Sequence, residues 1–486
     1  PTVVYNSNDN EYLVAWAGDD ESLANDEYEI FVQRVSATGA EVGYDDFRIS
    51  GMGPNGDRDY DAYSPSVTHN TFNNHYAVVW YGNHDLPGLH EDEEEIYMQR
   101  LSNLLLPIGT DDQRISTTGT DGDSLMKAER PNIIYNPDDH EYLVAWRANE
   151  LYSPVWFHFQ TPSEIYVQRI HASNGAELGT NDQRISDMGA DDNEGGLDAF
   201  NPVIAYNSTD GKYMVTWFGD DDTDPLIASE NEIFGQHLDA QTGAETGTND
   251  QRLTYTGADA DHLFYAYSPS ITYNSTNDEF LVVWYGTDHR EYSTFDHSDS
   301  QVYGKRIDAA TGNIIGQTTI ISAYPWLNYS SDEAYTPDVV YNSTDNQYLV
   351  VWRGSDYILD EMDYEFEIYG QIIDDTLGKI GTKFYISQMG GTGASIAEEA
   401  KHPAVAYDPT GNFYLVVWSG EENIYQTGEK FDIHGQFISA AGTEIGPDDF
   451  RISDMGTGVD YDGVEPDVAY NSCLLYTSDA ADERHC

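Results

Sequence analysis

The sequence predicts an all-β fold: a β-propeller of four-stranded antiparallel blades, seven of them complete and an eighth begun. Three observations carry that prediction. Trp16, Trp80, Trp146, Trp217, Trp284, Trp352 and Trp418 recur about every 67 residues. A fixed phrase surrounds each of them, and no stretch shows the 3.6-residue apolar period of a helix.

Each unit opens on a phrase close to Pro-x-Val-x-Tyr-Asn-Ser, as in Pro1–Ser7, Pro269–Ser275 and Pro337–Ser343. This first strand turns through Tyr-Asn-Ser-x-x-Asn into a second, such as Tyr348–Trp352. Residues on both pleat faces of the second strand are apolar, so it belongs between two other sheets. The third strand is Glu-Ile-Tyr/Phe-Gly-Gln, as in Glu232–Gln236 and Glu367–Gln371, and its glycine suits the close approach of a neighbouring backbone. A turn such as Ala37-Thr38-Gly39 leads to the fourth strand, read at Phe47-Arg-Ile-Ser50. Pro466–Ser472 starts the pattern again. A linear stack of the same units is the alternative architecture, whereas tandem sandwiches would need more strands per repeat.

Of 486 residues, 86 are Asp or Glu and 22 are Lys or Arg, giving a formal charge of −64. Apolar content is only 39%, yet 37 Tyr and 9 Trp exclude a disordered acidic tail. A surface of that sign repels phosphates, which argues against nucleic acid and anionic membrane as partners. No apolar run is long enough to span a membrane. The chain opens at Pro1 without Met or leader, as a fragment or a trimmed product would. The repeat breaks at Cys473, and Cys473–Glu483 resembles a translated sequencing adaptor. The propeller is therefore assigned to 1–472 and the stretch 473–486 to a non-native tail. Both cysteines, Cys473 and Cys486, fall in that tail, leaving 1–472 without disulfide or thiolate chemistry.

In an up-and-down blade the second-to-third and fourth-to-first connections share one rim, and here they are long and acidic. Three acidic positions recur on it. One follows the Trp corner: Asp19, Asp220, Asp288, Asp356 and Glu421. One opens strand three: Glu29, Glu95, Glu164, Glu232, Glu367 and Asp432, with Gln301 as the exception. One stands four residues before the proline: Asp61, Asp198, Glu333, Glu399 and Asp462, with Lys127 and Tyr265 as departures. Carboxylates converging to 4–6 Å repel by about 3–4 kcal/mol per pair at an effective dielectric near 20. Arginines in strand four offset part of that. Oxygen-only clusters without cysteine point to Ca²⁺ for the rest. Asp57-x-Asp59-x-Asp61 has the spacing that opens a calcium loop, without the distal glutamate of an EF-hand. Salt adaptation is the competing explanation, since only seven lysines accompany the acids. Asn207, Asn274, Asn342 and Asn328 match the N-glycosylation pattern, but the first three read as turn asparagines of the repeat.

The phrases Tyr-Asn-Ser, Tyr-Leu-Val-Val-Trp, Glu-Ile-x-Gly-Gln and Arg-Ile-Ser resemble repeats of large secreted or cell-surface proteins of environmental bacteria. The resemblance covers 1–472 and implies an extracellular propeller module within a longer polypeptide. No nucleophile elbow, phosphate loop or zinc motif appears, and the units are nearly equivalent, as in a scaffold. The expectation is a non-enzymatic structural or adhesive module, stabilised by calcium on its acidic rim. Surface glycans, neighbouring modules or further copies are its expected partners. The alternative is a carbohydrate-binding or carbohydrate-cleaving propeller. It would use residues that break the repeat, Trp156 and His158 in unit 3, His289 in unit 5 and Trp326, as aromatic and polar contacts for sugar.

Overall fold

A computed structural model describes all residues except 20–26, 124, 150–162, 189–197, 222–229, 256–263, 288–299, 323–332, 356–365, 390–398, 422–430, 454–463, 471–474 and 479–486. It is a seven-bladed β-propeller, and among the described residues there is no helix. None therefore offers a helix long and apolar enough to cross a membrane.

Blade 1 consists of β1 (Thr2–Asn6), β2 (Glu11–Gly18), β3 (Glu29–Ser36) and β4 (Glu41–Arg48). Blade 2 holds β5 (Ala62–Asn70), β6 (His75–Asn83), β7 (Glu94–Ser102) and β8 (Pro107–Arg114). Blade 3 holds β9 (Ala128–Asn136), β10 (Glu141–Asn149), β11 (Ser163–His171) and β12 (Glu177–Arg184). Blade 4 holds β13 (Ala199–Asn207), β14 (Lys212–Asp220), β15 (Asn231–Asp239) and β16 (Glu245–Arg252). Blade 5 holds β17 (Ala266–Asn274), β18 (Glu279–Gly286), β19 (Gln301–Asp308) and β20 (Ile314–Ile320). Blade 6 holds β21 (Glu333–Asn342), β22 (Gln347–Ser355), β23 (Glu367–Asp374) and β24 (Lys379–Tyr385). Blade 7 holds β25 (Ala400–Asp408), β26 (Phe413–Glu421), β27 (Phe431–Ser439) and β28 (Glu444–Arg451). Every blade is an antiparallel sheet in sequential order, as the repeat predicted. A last hairpin pairs β29 (Asp467–Tyr470) with β30 (Leu475–Ser478), so the backbone of the adaptor-like stretch takes the place of a second strand.

The chain forms two compact units. Blades 1–4 lie in the first, and blades 5–7 with β29 and β30 lie in the second. Within each, the apolar core sits between consecutive blades. The second strand is buried on both faces, as its composition requires: Tyr12, Leu13, Val14, Ala15 and Trp16 are all hidden. Each repeat Trp stacks on the residue opposite it in strand three, from Trp16 on Phe31 (6.0 Å) to Trp418 on His434 (6.2 Å).

The turn asparagine fastens one blade to the next. Asn6 Nδ2 donates to Tyr76 OH at 2.7 Å, Asn274 to Tyr348 at 2.8 Å and Asn342 to Tyr414 at 3.0 Å. Asn207, Asn274 and Asn342 are fully buried, which agrees with the turn reading; Asn328 lies outside the described residues.

Two details differ from the sequence reading. The fourth strand begins earlier and ends at the Arg, because an aspartate in the left-handed region (Asp46 φ 40°, Asp112 φ 43°, Asp182 φ 46°) bulges it. The third-strand Gln stabilises that bulge, Gln33 Oε1 accepting from Asp46 N and Gln168 Oε1 from Asp182 N, both at 3.0 Å. The third-strand glycines make room for side chains rather than backbone: a Cβ at Gly235 would stand 2.4 Å from Met214 Cε.

Candidate functional site

The recurring acid that opens strand three is not loose on a rim. Glu29, Glu95, Glu164, Glu232, Glu367 and Asp432 are buried. Each meets the Ser or Thr that follows strand four: Ser50, Ser116, Ser186, Thr254, Ser387 and Ser453. That hydroxyl donates to the carboxylate and accepts from the next strand-three amide, for example Ile96 N to Ser116 Oγ at 2.7 Å. The strand-four arginine completes the set for Glu95, Glu164, Glu232 and Asp432. Backbone N–H groups add to it, Thr118 N reaching Glu95 Oε1 at 2.8 Å and Met188 N reaching Glu164 Oε1 at 3.0 Å. Burial pushes the carboxyls of Glu29 and Glu95 up, and these bonds pull against it. In blade 5 the same hydroxyl, Ser322 Oγ, lies 2.7 Å from Gln301 Oε1, so a neutral acceptor takes the place of the carboxylate there.

The acid four residues before the proline anchors the entry to strand three of the preceding blade. Asp61 Oδ1 accepts from Tyr28 N at 2.7 Å, and Asp198 Oδ1 accepts from Ser163 N at 2.9 Å. Glu399 instead pairs with Lys401 at 2.9 Å and Arg353 at 3.3 Å. Glu333 opens β21. In the corner set, Asp220 Oδ1 accepts from Glu230 N at 3.1 Å, Glu421 is buried at the end of β26, and Asp19 follows β2. Asp59 N donates to Asp57 Oδ1 at 3.3 Å.

Among the described residues, no three of the predicted carboxylates come together at one point. Among the described residues the one group of three whose ligand atoms lie within 4.8 Å of one another is His90, Glu91 and Asp92. The expected charge conflict is relieved by hydroxyl, amide and guanidinium donors belonging to the blade itself. Asp288, Asp356 and Asp462, with Trp156, His158, His289 and Trp326, lie outside the described residues.

The structure draws attention instead to residues the repeat pattern passed over. β7 opens at Glu94, one position before the recurring Glu95, and pairs through a parallel bridge with Lys127, just ahead of β9. Lys127 Nζ lies 3.0 Å from Glu94 Oε1. Across β9 and β10, Glu129 stands opposite Arg147, with Nη2 to Oε2 at 3.1 Å. Glu94 also meets the carboxyl of Glu129, while its Oε2 is buried with no donor group in reach. A proton shared between the two carboxyls satisfies such a contact. Burial, and then the bond to Glu129, push Glu94 up to about 7.

The surroundings are aromatic. Tyr81 feels the charges of both carboxyls and of Arg130, and its ring lies 5.8 Å from Tyr63, which in turn lies 5.5 Å from Tyr28. On the other side Arg147 Cζ lies 4.7 Å over Phe200, which stacks on Phe218 at 5.0 Å. Glu94 and Glu129 keep about a fifth of their side-chain surface open to solvent. They stand where the longer connections 84–93 and 115–127 arrive, away from the short turns 71–74 and 103–106. The sequence signal was the departure at Lys127 in a position otherwise mostly acidic.

No family model matches the chain, and no curated protein is similar to it. Among solved structures, an α-L-arabinanase of Penicillium chrysogenum complexed with arabinobiose is 14% identical at a TM-score of 0.40, covering 73% of this chain and 89% of its own. A thermostable family-43 glycoside hydrolase is 12% identical at 0.33, covering 67% and 95%. An N-acetylgalactosamine deacetylase of F. plautii, in complex with blood group B trisaccharide, is 11% identical at 0.33, covering 80% and 87%. At these identities the likeness bears on the fold. The expectation of a non-enzymatic structural or adhesive module is nevertheless corrected. These neighbours carry the names of carbohydrate-active enzymes rather than of structural or adhesive proteins.

Proposed function

We propose that this propeller binds and hydrolyses a carbohydrate, with Glu94 as the proton donor. Breaking a glycosidic bond requires a proton on the departing oxygen, and a carboxyl that supplies it must still hold that proton near neutrality. The observation that carries the proposal is the Glu94–Glu129 contact, about a fifth open to solvent and clasped by Lys127 and Arg147. Glu94 gives its proton to the glycosidic oxygen as the carbon–oxygen bond breaks. Water adds its oxygen to the sugar carbon and returns a proton to the pair. Hydrogen-bonded carboxyls are closer than the roughly 5–5.5 Å of a nucleophile–acid pair. Glu129 therefore acts on Glu94, keeping it protonated and oriented, rather than attacking the sugar. The row of mutually tilted rings of Tyr28, Tyr63 and Tyr81 offers apolar faces for sugar rings.

The test is release of reducing ends from a polysaccharide panel that includes α-1,5-arabinan. The wild type is compared with Glu94→Gln, and folding is checked by melting temperature. Release by the wild type and loss of at least a hundredfold in Glu94→Gln are expected. A wild type silent on the whole panel, or a fully active Glu94→Gln, overturns the proposal.

A further inference from the structure

We propose that the carbohydrate taken at this site is anionic, its carboxylate or sulfate group received by Arg130 with Lys127 beside it. The inference rests on the reading of Glu94 and Glu129 given above and names the substrate class of that site.

Charge inversion is the starting observation. The chain has 22 basic residues against 86 acidic ones, yet Lys127, Arg130 and Arg147 all stand on β9 and β10 or immediately ahead of them. The repeat provides an internal control. Where blade 3 has Lys127, neighbouring blades have Asp61 and Asp198, and blades 6 and 7 have Glu333 and Glu399. Where it has Arg130, the residue before the proline is Ser64, Asn201, Ser268, Thr336, His402 or Glu465 elsewhere. All of these share one left-handed backbone state (Arg130 φ 55°, Ser64 φ 47°, Asn201 φ 49°), so the geometry is common and the charge is particular to this blade.

Lys127 and Arg147 are engaged by Glu94 and Glu129. Arg130 is exposed, and among the described residues no carboxylate pairs with it. Three cations against two carboxylates leave a local excess of one positive charge, and two while the pair holds its proton. Tyr81 lies within electrostatic range of Glu94, Glu129 and Arg130 together, so a sugar ring resting on the tyrosine would carry its acidic substituent toward the free guanidinium. A planar guanidinium suits carboxylate and sulfate oxygens better than an ammonium does. The repulsive field of the whole chain is screened beyond about 8 Å at physiological ionic strength, so the local excess governs what docks here.

Binding is measured at pH 7 and 0.15 M NaCl by affinity electrophoresis, on Glu94→Gln so that no probe is consumed. Polygalacturonate serves as the carboxylated probe, ι-carrageenan as the sulfated one and arabinan as the neutral one. At least tenfold tighter binding of one polyanion than of arabinan is expected, and which polyanion wins identifies the acidic group. Adding Arg130→Gln should cost at least tenfold for that polyanion and leave arabinan unchanged. Equal or tighter binding of arabinan, no binding of either polyanion, or indifference to Arg130→Gln overturns the inference. Hydrolysis of neutral glycans by the wild type would then leave the proposed activity standing. Conversely, polyanion binding that depends on Arg130, without hydrolysis, would uphold this inference and remove the other.

Discussion

Asp112 is a carboxylate in an awkward place, and replacing it by Asn should stabilise the protein only where that carboxylate is ionised. Its Oδ2 accepts from Gly51 N of the preceding blade at 3.0 Å, while Oδ1 is buried with no partner. Burial first, then the adjacent Asp111, push it up to about 7, against the pull of the Gly51 amide. His84 Nε2 stands 3.9 Å away, but burial holds its pKa down, so it brings no charge at pH 8. A folded pKa above the unfolded 3.8 means that the folded state binds the extra proton. This contribution to stability is full below about pH 4 and is lost as pH rises to about 7. A shift of roughly three units corresponds to about 4 kcal/mol. Asn keeps the acceptor for Gly51 N and tolerates the left-handed backbone, but its amide leaves a buried donor unpaired at about 1–2 kcal/mol. The net expectation for Asp112→Asn is about 2 kcal/mol of stabilisation at pH 8 and about zero at pH 5. Thermal and urea unfolding at constant ionic strength measure it, with exposed Asp59→Asn as the control for merely removing one negative charge. An equal effect at both pH values, or no larger gain than in Asp59→Asn, would refute the reasoning.

Two further outcomes follow from the sites described. Ser116→Ala removes a donor from buried Glu95 and an acceptor from Ile96 N. Urea unfolding should show a loss of about 2–3 kcal/mol, against about 1 kcal/mol for Ser322→Ala, whose partner Gln301 is neutral. Any hydrolytic rate should fall about tenfold per pH unit above pH 7, as Glu94 loses its proton, and a flat limb in the pH–rate profile up to pH 9 would exclude it as the donor.

The fold was largely legible because its determinants are local and repeated. A second strand apolar on both faces, a Trp closing it and an Asn turning into it need no long-range information. The fourth strand was partly hidden, because Gly43 and Asp46 take positive φ inside it and read as turn signals. The recurring acids were found, but their role depends on which residue lies opposite. Ser50 reaches Glu29 from 21 residues away, through a register that periodicity does not disclose. Glu94 and Glu129 were missed for the opposite reason. They occur in single blades, and a search for what repeats looks past what does not. The aromatic residues singled out from the sequence, Trp156 and Trp326, lie outside the described residues, whereas Tyr28, Tyr63 and Tyr81 blend into a chain rich in tyrosine.

The amide-to-phenol contacts at the turns, Asn6 to Tyr76 and Asn342 to Tyr414, have a bearing on where such a molecule can work. A heavily self-repelling exterior gains cohesion in brine and loses it in fresh water. Rivets made of uncharged groups, sealed from solvent, feel neither extreme, so adjoining sheets stay fastened while the ionic atmosphere outside changes.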